Sequence, residues 1–348
     1  MLNAIKKTNI TRRSLLKVRI PLRVIPFILI IVTYNLVPHF LKIYMRYNFP
    51  HLPVELLETE LYKQRSPKLV LHKHKPDCKY DEVLKNTRYL SPSDVPKEIV
   101  NFSEKGIFRG DYVPQHCNPI FSVAIIVIYR DRKKQLDLFL PYMHNFLRKQ
   151  NIHYRIYLVE QQGKNPFNRG LLLNVGARQA IEDQFPCLIL HDVDLLPLDA
   201  ANLYACASAP RHMSASIDKF EYLLPYDYLT GGVLAIRAED FVTVNGYSNK
   251  FEGWGGEDDN LFFRLKMHKI KIIRFPYRMS RYTMMWHRPE RPNSARYFTL
   301  RENRQHAGVN ARDGLNSLQH VRTRVVSAPL VKHVRVLLRC DTCQSIRA

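Results

Sequence analysis

The sequence has few acidic residues and none of the common motifs of nucleic-acid-binding proteins. It contains 31 Asp and Glu against 53 Lys and Arg, which gives a formal net charge of +22 at pH 7. Such a charge favours an anionic partner: nucleic acid, a membrane surface or a phosphate-bearing ligand. No RNP, helix-turn-helix or zinc-finger signature is present, so a nucleic-acid-binding role is disfavoured. No internal repeat or low-complexity block occurs either, and 46% hydrophobic residues are enough for a large core.

The first 54 residues contain no acidic residue at all, and they include one long apolar run. Residues 24–41 could just span a bilayer. Basic residues precede the run and no small-x-small cleavage site follows it, which favours a signal-anchor over a cleaved signal peptide. We therefore predict a cytosolic tail at 1–23, a transmembrane anchor at 24–41, a stem at 42–76 and a lumenal domain at 77–348.

Six cysteines suit an oxidising lumen. One pair brackets the region before the first strong strand, and another pair flanks an Asp-Val-Asp segment. Two disulfides are expected, Cys78 with Cys117 and Cys187 with Cys206. Cys340 and Cys343 form a lone C-x-x-C, whose role stays open between a metal site and a redox motif. Asn101 begins a sequon that could carry a glycan.

From about residue 78 the pattern alternates between strands and helices. Apolar β-branched runs predict strands at 121–130, 153–161 and 187–194, and helical spacing predicts helices at 133–150 and 169–182. This order predicts an α/β fold with a mostly parallel sheet. Ligands of such sheets bind beyond the carboxyl ends of the strands.

Asp192 and Asp194 stand at one of these strand ends. Burying ionised carboxylates is costly unless they are paired or bind a metal. The pair therefore indicates either a turn facing water or a site for a divalent cation.

Residues 251–265 combine three glycines with Trp254 and a run of acids, Glu257, Asp258 and Asp259. The acids open a predicted helix, where simple capping would explain them. Capping does not explain a tryptophan among glycines. A carboxylate here could act as a general base toward a hydroxyl, and the indole could close over a sugar.

Met284 and His287 are a weaker signal. A thioether and an imidazole could complete a metal site, but thioether is a soft ligand that is uncommon for Mn²⁺. A core methionine and a surface histidine are the simpler alternative.

Eight motifs in order resemble the β1,4-galactosyltransferase family (glycosyltransferase family 7) over about residues 78–318. They are YVPQHC, AIIVIYRDR, FNRGLLLNVG, HDVDLLP, HMSASIDKFEYLLPY, GGVLAI, NGYSNKFEGWGGEDDN and DGLNSL. The string Trp-Gly-Gly-Glu-Asp-Asp after Asp-Val-Asp is the most specific. The 19-residue step from Cys187 to Cys206 also matches the family's disulfide.

The resemblance implies a GT-A-type nucleotide-sugar-binding fold, an Mn²⁺ cofactor and a type II Golgi membrane location. The implied metal ligands are Asp194, Met284 and His287, and the implied base is Asp258. The implied donor contacts are Arg130, Phe167, Arg169, Asp192, Val193, Lys219, Leu229 and Trp254. The implied acceptor contacts are Trp254, Glu257, Asp259, Arg296, Tyr297 and Leu300, with residues 285–305 as a loop that orders after the metal and donor bind.

The implied reaction is an inverting transfer to the 4-hydroxyl of a terminal GlcNAc. Leu229 stands where galactose-specific vertebrate members carry Tyr, and a smaller side chain there goes with UDP-GalNAc. The expected donor is therefore UDP-GalNAc, with UDP-Gal close behind.

Other functions fit parts of the pattern. HDVDLLPL is similar to the same motif in the branch of the family that adds galactose to xylose in the proteoglycan linker. That branch, however, has Arg at the position of Gly256 in this chain, and it lacks the spacing from Met284 to His287. A catalytically inactive GlcNAc-binding lectin would not need an intact Asp194, Asp258 and His287. A glycoside hydrolase using Asp192 and Glu257 would have no use for a diphosphate-binding metal.

Overall fold

The structure, a computed structural model, describes residues 26, 31, 33, 49–64, 66, 74–94, 106–288, 292–305 and 311–338. The chain divides into two compact units, Met1–Met45 and Arg46–Ala348, and every element named below lies in the second. Within the described ranges no helix has the length and apolar character needed to cross a membrane. Apart from Pro26, Ile31 and Thr33, the predicted anchor lies outside these ranges, as do Asn101, Cys340 and Cys343.

In the second unit, strands and helices alternate over residues 122–192. The helices are α1 (Val54–Tyr62), α2 (Asp81–Lys85), α3 (Lys133–Arg148), α4 (Arg169–Glu182), α5 (Ala238–Thr243), α6 (Glu257–Met267) and α7 (Arg296–Gln305). The strands are β1 (Ile107–Phe108), β2 (Asp111–Tyr112), β3 (Ser122–Tyr129), β4 (His153–Gln162), β5 (Cys187–Asp192), β6 (Leu195–Pro197), β7 (Arg211–His212), β8 (Ser216–Ile217), β9 (Val233–Arg237), β10 (Arg281–Met284), β11 (Arg322–Ala328) and β12 (Val331–Leu337). Short 3₁₀ helices occupy Pro92–Asp94, Asp218–Phe220 and Leu315–Ser317.

The larger sheet is mixed, with a parallel centre. In the described part of the chain its nine strands include a parallel run β12-β4-β3-β5. Antiparallel neighbours complete it: β11 beside β12, β9 and β7 beyond β5, and the β1-β2 pair against β4. The prediction of an α/β fold with a mixed sheet is confirmed, but parallel pairing is confined to the central run of four strands and does not dominate the described sheet.

Both faces of the sheet are buried, which is why its central strands are continuous apolar runs rather than alternating ones. Ile125 of β3 points into a core cluster that contains Met143 of α3. Ile126, the next residue, points to the opposite face and packs in a second cluster with Leu172 of α4.

A second sheet of three strands lies where the main sheet ends. β10 is its central strand, antiparallel to β6 and parallel to β8. The strand predicted at 187–194 stops at Asp192, because Val193 and Asp194 turn the chain from β5 into β6. The Asp-Val-Asp segment is therefore both a strand end and a turn.

A helix precedes the sheet in the chain, and two disulfides join separate segments. Residues 54–62, within the predicted stem, form α1, and Leu57 and Leu61 on this helix are buried in the core cluster of α3. The structure contains both expected disulfides, Cys78–Cys117 and Cys187–Cys206. The second of these joins the start of β5 to the segment that follows β6.

Gly176 allows α4 to pack closely on the sheet. A Cβ at this position would lie 2.8 Å from a methyl carbon of Val159, and closer still to Ile126. Because both neighbours are buried in a dense core, they have little room to move.

We expect Gly176→Ala to lower the free energy of unfolding by about 1–3 kcal/mol through overpacking, although Gly→Ala favours helices in general. Urea denaturation measures this change, with Arg178→Ala on the less buried side of the same helix as the control. A Gly176→Ala protein as stable as the unaltered one would show that α4 does not pack this closely.

Candidate active site

Asp194, Met284 and His287 come together because β10 pairs with β6. Met284 lies opposite Leu195 in the ladder, and the Met285 N–H donates to the Asp194 carbonyl at 2.7 Å. Three residues past Met284, the His287 Nε2 lies 2.7 Å from Asp194 Oδ2. This hydrogen bond raises the pKa of His287 above its ordinary value. The backbone pairing thus brings a carboxylate, a thioether and an imidazole to the same cavity.

The cavity has a volume of about 210 Å³ and lies at the carboxyl ends of β3 and β5. It is lined by Ile128, Arg130, Arg132, Phe167, Arg169, Asp192, Val193, Asp194, Lys219, Gly253, Trp254, Glu257, Asp258, Met284 and His287. The lining includes the three expected metal ligands, the expected base and all of the expected donor contacts except Leu229.

Arg169, the first residue of α4, links the carboxylates of two other elements. Its Nε and Nη2 donate to Asp192 Oδ1 at 3.1 and 3.0 Å, and its Nη1 donates to Asp258 Oδ1 at 2.6 Å. Glu257 Oε1 lies 3.6 Å from the same Nη1. Burial lowers the pKa of Arg169, but Asp192 and Asp258 outweigh it and raise this pKa above its ordinary value. Arg169 therefore fixes the Asp258 carboxylate and also lines the cavity.

Burial changes the proton affinity of the neighbouring acids. Desolvation, and next the charge of Asp258, raise the pKa of Glu257 to about 8. Desolvation also raises the pKa of Asp192 to about 6, against the opposing effect of Arg169. Desolvation raises the pKa of Asp259 as well, and the charge of Asp258 raises it further. Glu257 Oε2 has no hydrogen-bond partner within the described residues.

Trp254 is held at the edge of the cavity with more than half of its surface exposed (56%). Gly253, Gly255 and Gly256 around it all have positive φ, a conformation that other residues rarely adopt. The Arg296 guanidinium carbon lies 5.2 Å from the indole centroid and 4.6 Å from the ring of Tyr297. The start of α7 therefore contacts the Trp254 loop, which places Arg296 beside the indole and Tyr297 beside Arg296.

Leu229 is not on the cavity wall. Its side chain packs against a small cluster with Phe49, Ala215, Leu224 and Tyr277. Its chain neighbours nevertheless contact the expected base. Thr230 Oγ1 donates to the Asp258 carbonyl at 3.1 Å, and a Cβ on Gly231 would collide with the Asp258 carboxylate. Leu229 is thus a neighbour of the site whose side chain points into an adjoining apolar cluster.

Sequence reasoning missed two residues of the site. Arg132 lines the cavity, with its Nη2 3.3 Å from His287 Nδ1. Its place just after β3 was a usable signal, since ligands meet such sheets there. Gly231 leaves space for Asp258, and the Gly-Gly pair before β9 was the signal that a close approach occurs there.

The side chains of Asp194, Met284 and His287 fit a divalent cation if oxygen atoms of a bound diphosphate complete its coordination. Among the described residues no group of three or more His, Cys, Asp or Glu could hold a metal. The three residues here offer one oxygen, one nitrogen and one sulfur, and Asp194 Oδ2 and His287 Nε2 already converge. A carboxylate and an imidazole suit Mn²⁺, and diphosphate oxygens are the hard ligands that would balance the soft thioether.

Comparison with known proteins agrees with this geometry. Residues 78–207 match the N-terminal region of glycosyl transferase group 7, and residues 211–288 match the family described as the N-terminal domain of galactosyltransferase. The chain is 37% identical over 244 residues to β-1,4-galactosyltransferase 4 of Mus musculus, covering 70% of this chain and 71% of that one. It is 36% identical over 250 residues to β-1,4-galactosyltransferase 2 of Homo sapiens, covering 70% and 66%.

Solved structures show the same fold. The catalytic domain of Drosophila β1,4-galactosyltransferase 7 in complex with xylobiose aligns with a TM-score of 0.52 and 29% identity, over 65% of this chain and 97% of that one. A variant of that enzyme, solved with manganese, UDP-Gal and xylobiose, aligns with a TM-score of 0.51 and 28% identity.

The mixed sheet and the site at its carboxyl edge are those of a GT-A-like α/β protein. Within that class, the chain belongs to the β1,4-galactosyltransferase family, glycosyltransferase group 7.

The raised pKa of Glu257 predicts a pH-dependent stability. The folded state binds the Glu257 proton more tightly than the unfolded state, so stability is lost as the pH rises from about 4.5 through about 8. Glu257→Gln should abolish that loss. The difference in unfolding free energy between Glu257→Gln and the unaltered protein should therefore grow in favour of the variant by about 1–3 kcal/mol from pH 5 to pH 8. Denaturant melts at both pH values measure the difference.

Glu239→Gln, on the exposed part of α5, is the control for a change of one surface charge. If Glu257→Gln has the same effect on stability at pH 5 and at pH 8, then Glu257 ionises normally in the folded protein.

Proposed function

We propose that this protein is an inverting glycosyltransferase that moves galactose or GalNAc from a UDP-sugar to the 4-hydroxyl of a terminal GlcNAc, forming a β1,4 linkage. The observation that carries the proposal is the single cavity in which Asp194, Met284 and His287 face Arg169 and Asp258. A diphosphate-binding end and a basic carboxylate are the two parts that such a transfer needs. The galactosyltransferase names of the relatives support the same reaction class.

The donor end of the cavity is cationic and aromatic. Asp194, Met284 and His287 would hold Mn²⁺, which when bound supplies positive charge to the diphosphate of the leaving UDP. Arg130, Lys219 and Arg132 would add charge-assisted hydrogen bonds to the phosphate oxygens. The Arg130 guanidinium carbon lies 5.0 Å from the centre of the Phe167 ring. The two groups together offer a flat surface on which a uracil could stack.

Asp258 is the proposed general base. As the acceptor's O4 forms its bond to the anomeric carbon, the bond from that carbon to the UDP oxygen breaks, and the O4 proton passes to Asp258. Arg169 holds the Asp258 carboxylate in position, so the base is oriented before the acceptor arrives. The attack from the face opposite UDP inverts the configuration.

Acceptor binding is assigned to the surface around Trp254. The indole and Tyr297 supply aromatic faces for a sugar ring, with Arg296 beside them. Glu257 and Asp259 remain the proposed polar contacts. Leu300, one turn further along α7, is the proposed apolar contact for the N-acetyl group. The closing of residues 285–305 over bound donor is part of the proposal.

Xylose is the second candidate acceptor, because the solved relatives hold xylobiose. Gly256 and the spacing of Met284 and His287 favour GlcNAc. We also propose that the enzyme is a single-pass type II protein of the Golgi membrane, anchored by residues 24–41.

The test uses the full-length protein with Mn²⁺, UDP-Gal or UDP-GalNAc, and p-nitrophenyl glycosides of GlcNAc or xylose. UDP release should require GlcNAc, and EDTA should abolish it. Asp258→Asn should lower kcat by about 10²–10⁴, as expected for loss of a general base. Asp259→Asn, the neighbour on the same helix, is the matched control and should mainly raise the acceptor KM.

Three results would contradict this account. Binding of GlcNAc without UDP release would indicate a lectin. Release only with the xyloside would identify the xylose branch. Unchanged kcat in Asp258→Asn would remove Asp258 from the chemistry.

Leu229 sets the proposed choice between donors. Its side chain packs beside the cavity and not on its wall, so its proposed effect is indirect: a tyrosine is too large for the small apolar cluster and would displace the neighbouring Thr230–Gly231 segment toward Asp258 and the donor. The unaltered enzyme should therefore use UDP-GalNAc substantially, and Leu229→Tyr should shift preference to UDP-Gal by about tenfold or more. The ratio of kcat/KM for the two donors measures this, with Leu229→Ile as the aliphatic control. If the unaltered enzyme uses only UDP-Gal, Leu229 does not set donor choice.

A further inference from the structure

Asp218 lies at the point where β8 ends, and the proposed function gives it no role. β8 stops at Ile217, and a 3₁₀ helix, Asp218–Phe220, follows directly. This short helix carries Lys219, which lines the cavity. Beside it runs β10, whose last residue is Met284. Asp218 therefore stands between two segments that each deliver a side chain to the site.

The Asp218 carboxylate bonds to both of these segments. Oδ1 accepts from the Met284 N–H at 2.9 Å and from the Lys219 N–H at 2.7 Å. Oδ2 accepts from the Thr283 hydroxyl. One side chain thus fixes the backbone at Met284, the side chain of the residue before it, and the backbone at Lys219.

The Met284 N–H needs this partner because of where β8 ends. Successive N–H groups of a strand point to opposite sides. The Met285 N–H points toward β6, where it donates to Asp194, so the Met284 N–H points toward β8. The pairing between β10 and β8 ends with Tyr282 and Ile217. The Asp218 carboxylate stands in for the missing strand and extends the ladder by one rung.

We propose that Asp218 is a positioning residue that holds Met284 and Lys219 in place for the metal and the diphosphate. The inference rests on the proposed function, since it takes Met284 as a metal ligand. An outer residue that orients a ligand typically contributes 10- to 100-fold to metal affinity. Here the orientation acts through the backbone of the ligand, so it depends on an acceptor oxygen at Asp218 and not on its negative charge.

The experiment measures binding of MnCl₂ alone to the full-length protein, by the loss of the free Mn²⁺ signal in electron paramagnetic resonance. Asp218→Ala should weaken Mn²⁺ binding about 10- to 100-fold. Asp218→Asn keeps a carbonyl oxygen for the Met284 N–H, and should stay within about threefold of the unaltered protein. Asp199→Ala is the matched control. Asp199 Oδ1 accepts from the Ala201 N–H at 2.8 Å, beyond the other end of β6, so its loss removes a similar bond but should leave Mn²⁺ affinity unchanged.

Thr283→Val covers the case in which Asp218→Ala does not fold, as judged by circular dichroism. It removes only the hydroxyl bond to Oδ2 and should weaken Mn²⁺ binding about 2- to 10-fold, the usual range for one hydrogen bond. A donor KM that rises more than kcat falls, for both UDP-sugars, would further support positioning.

Each remaining outcome overturns a distinct claim. If the unaltered protein binds no Mn²⁺, the proposed function fails and this inference fails with it. If the unaltered protein binds Mn²⁺ and both Asp218→Ala and Thr283→Val bind it equally well, only the inference fails. If Asp218→Asn binds Mn²⁺ as weakly as Asp218→Ala does, the carboxylate acts through its charge and the positioning role is wrong.

Discussion

The site depends on one largely buried cation, Arg169, that is shared among carboxylates. Arg169 begins α4, Asp192 ends β5, and Glu257 and Asp258 begin α6, so one guanidinium ties together the ends of three elements. Partly burying these charges without partners would be costly, and removing Arg169 would leave the carboxylates without the cation that they share. The same guanidinium therefore also fixes the proposed base. Burial, and next the charge of Asp258, raise the pKa of Glu257 against the opposing charge of Arg169.

The second constraint is backbone pairing within the three-stranded sheet. The main sheet ends at Asp192, the chain turns, and β6 then pairs with β10. Asp194 uses its carbonyl for this pairing and its carboxylate for His287, so one residue contributes to both the sheet and the proposed metal site. On the other side of β10, Asp218 has the corresponding place. The proposed metal-binding end is thus built from strand register, whereas the proposed base is held by ion pairing.

The sequence predicted the central fold well because its signals are local. The helix at 169–182 has the observed bounds, and the strands leading to Tyr129, Gln162 and Asp192 are long apolar runs. The three-stranded sheet was not predictable, since its strands have two to four residues and pair over long distances. Residue patterns alone gave little weight to Met284, and the family resemblance supplied it. Arg169 was assigned to the diphosphate, but its ion pair with Asp258 depends on tertiary structure that no spacing encodes.

The central claim is that Asp194, Met284 and His287 hold the cation that serves the diphosphate. Crystals of the full-length protein grown with MnCl₂ and UDP, with diffraction collected at the manganese absorption edge, test it most directly. The account predicts an anomalous peak within bonding distance of Asp194 Oδ2, Met284 Sδ and His287 Nε2. A peak bound instead by Asp192, Glu257 or Asp258, with Met284 and His287 uninvolved, would contradict it.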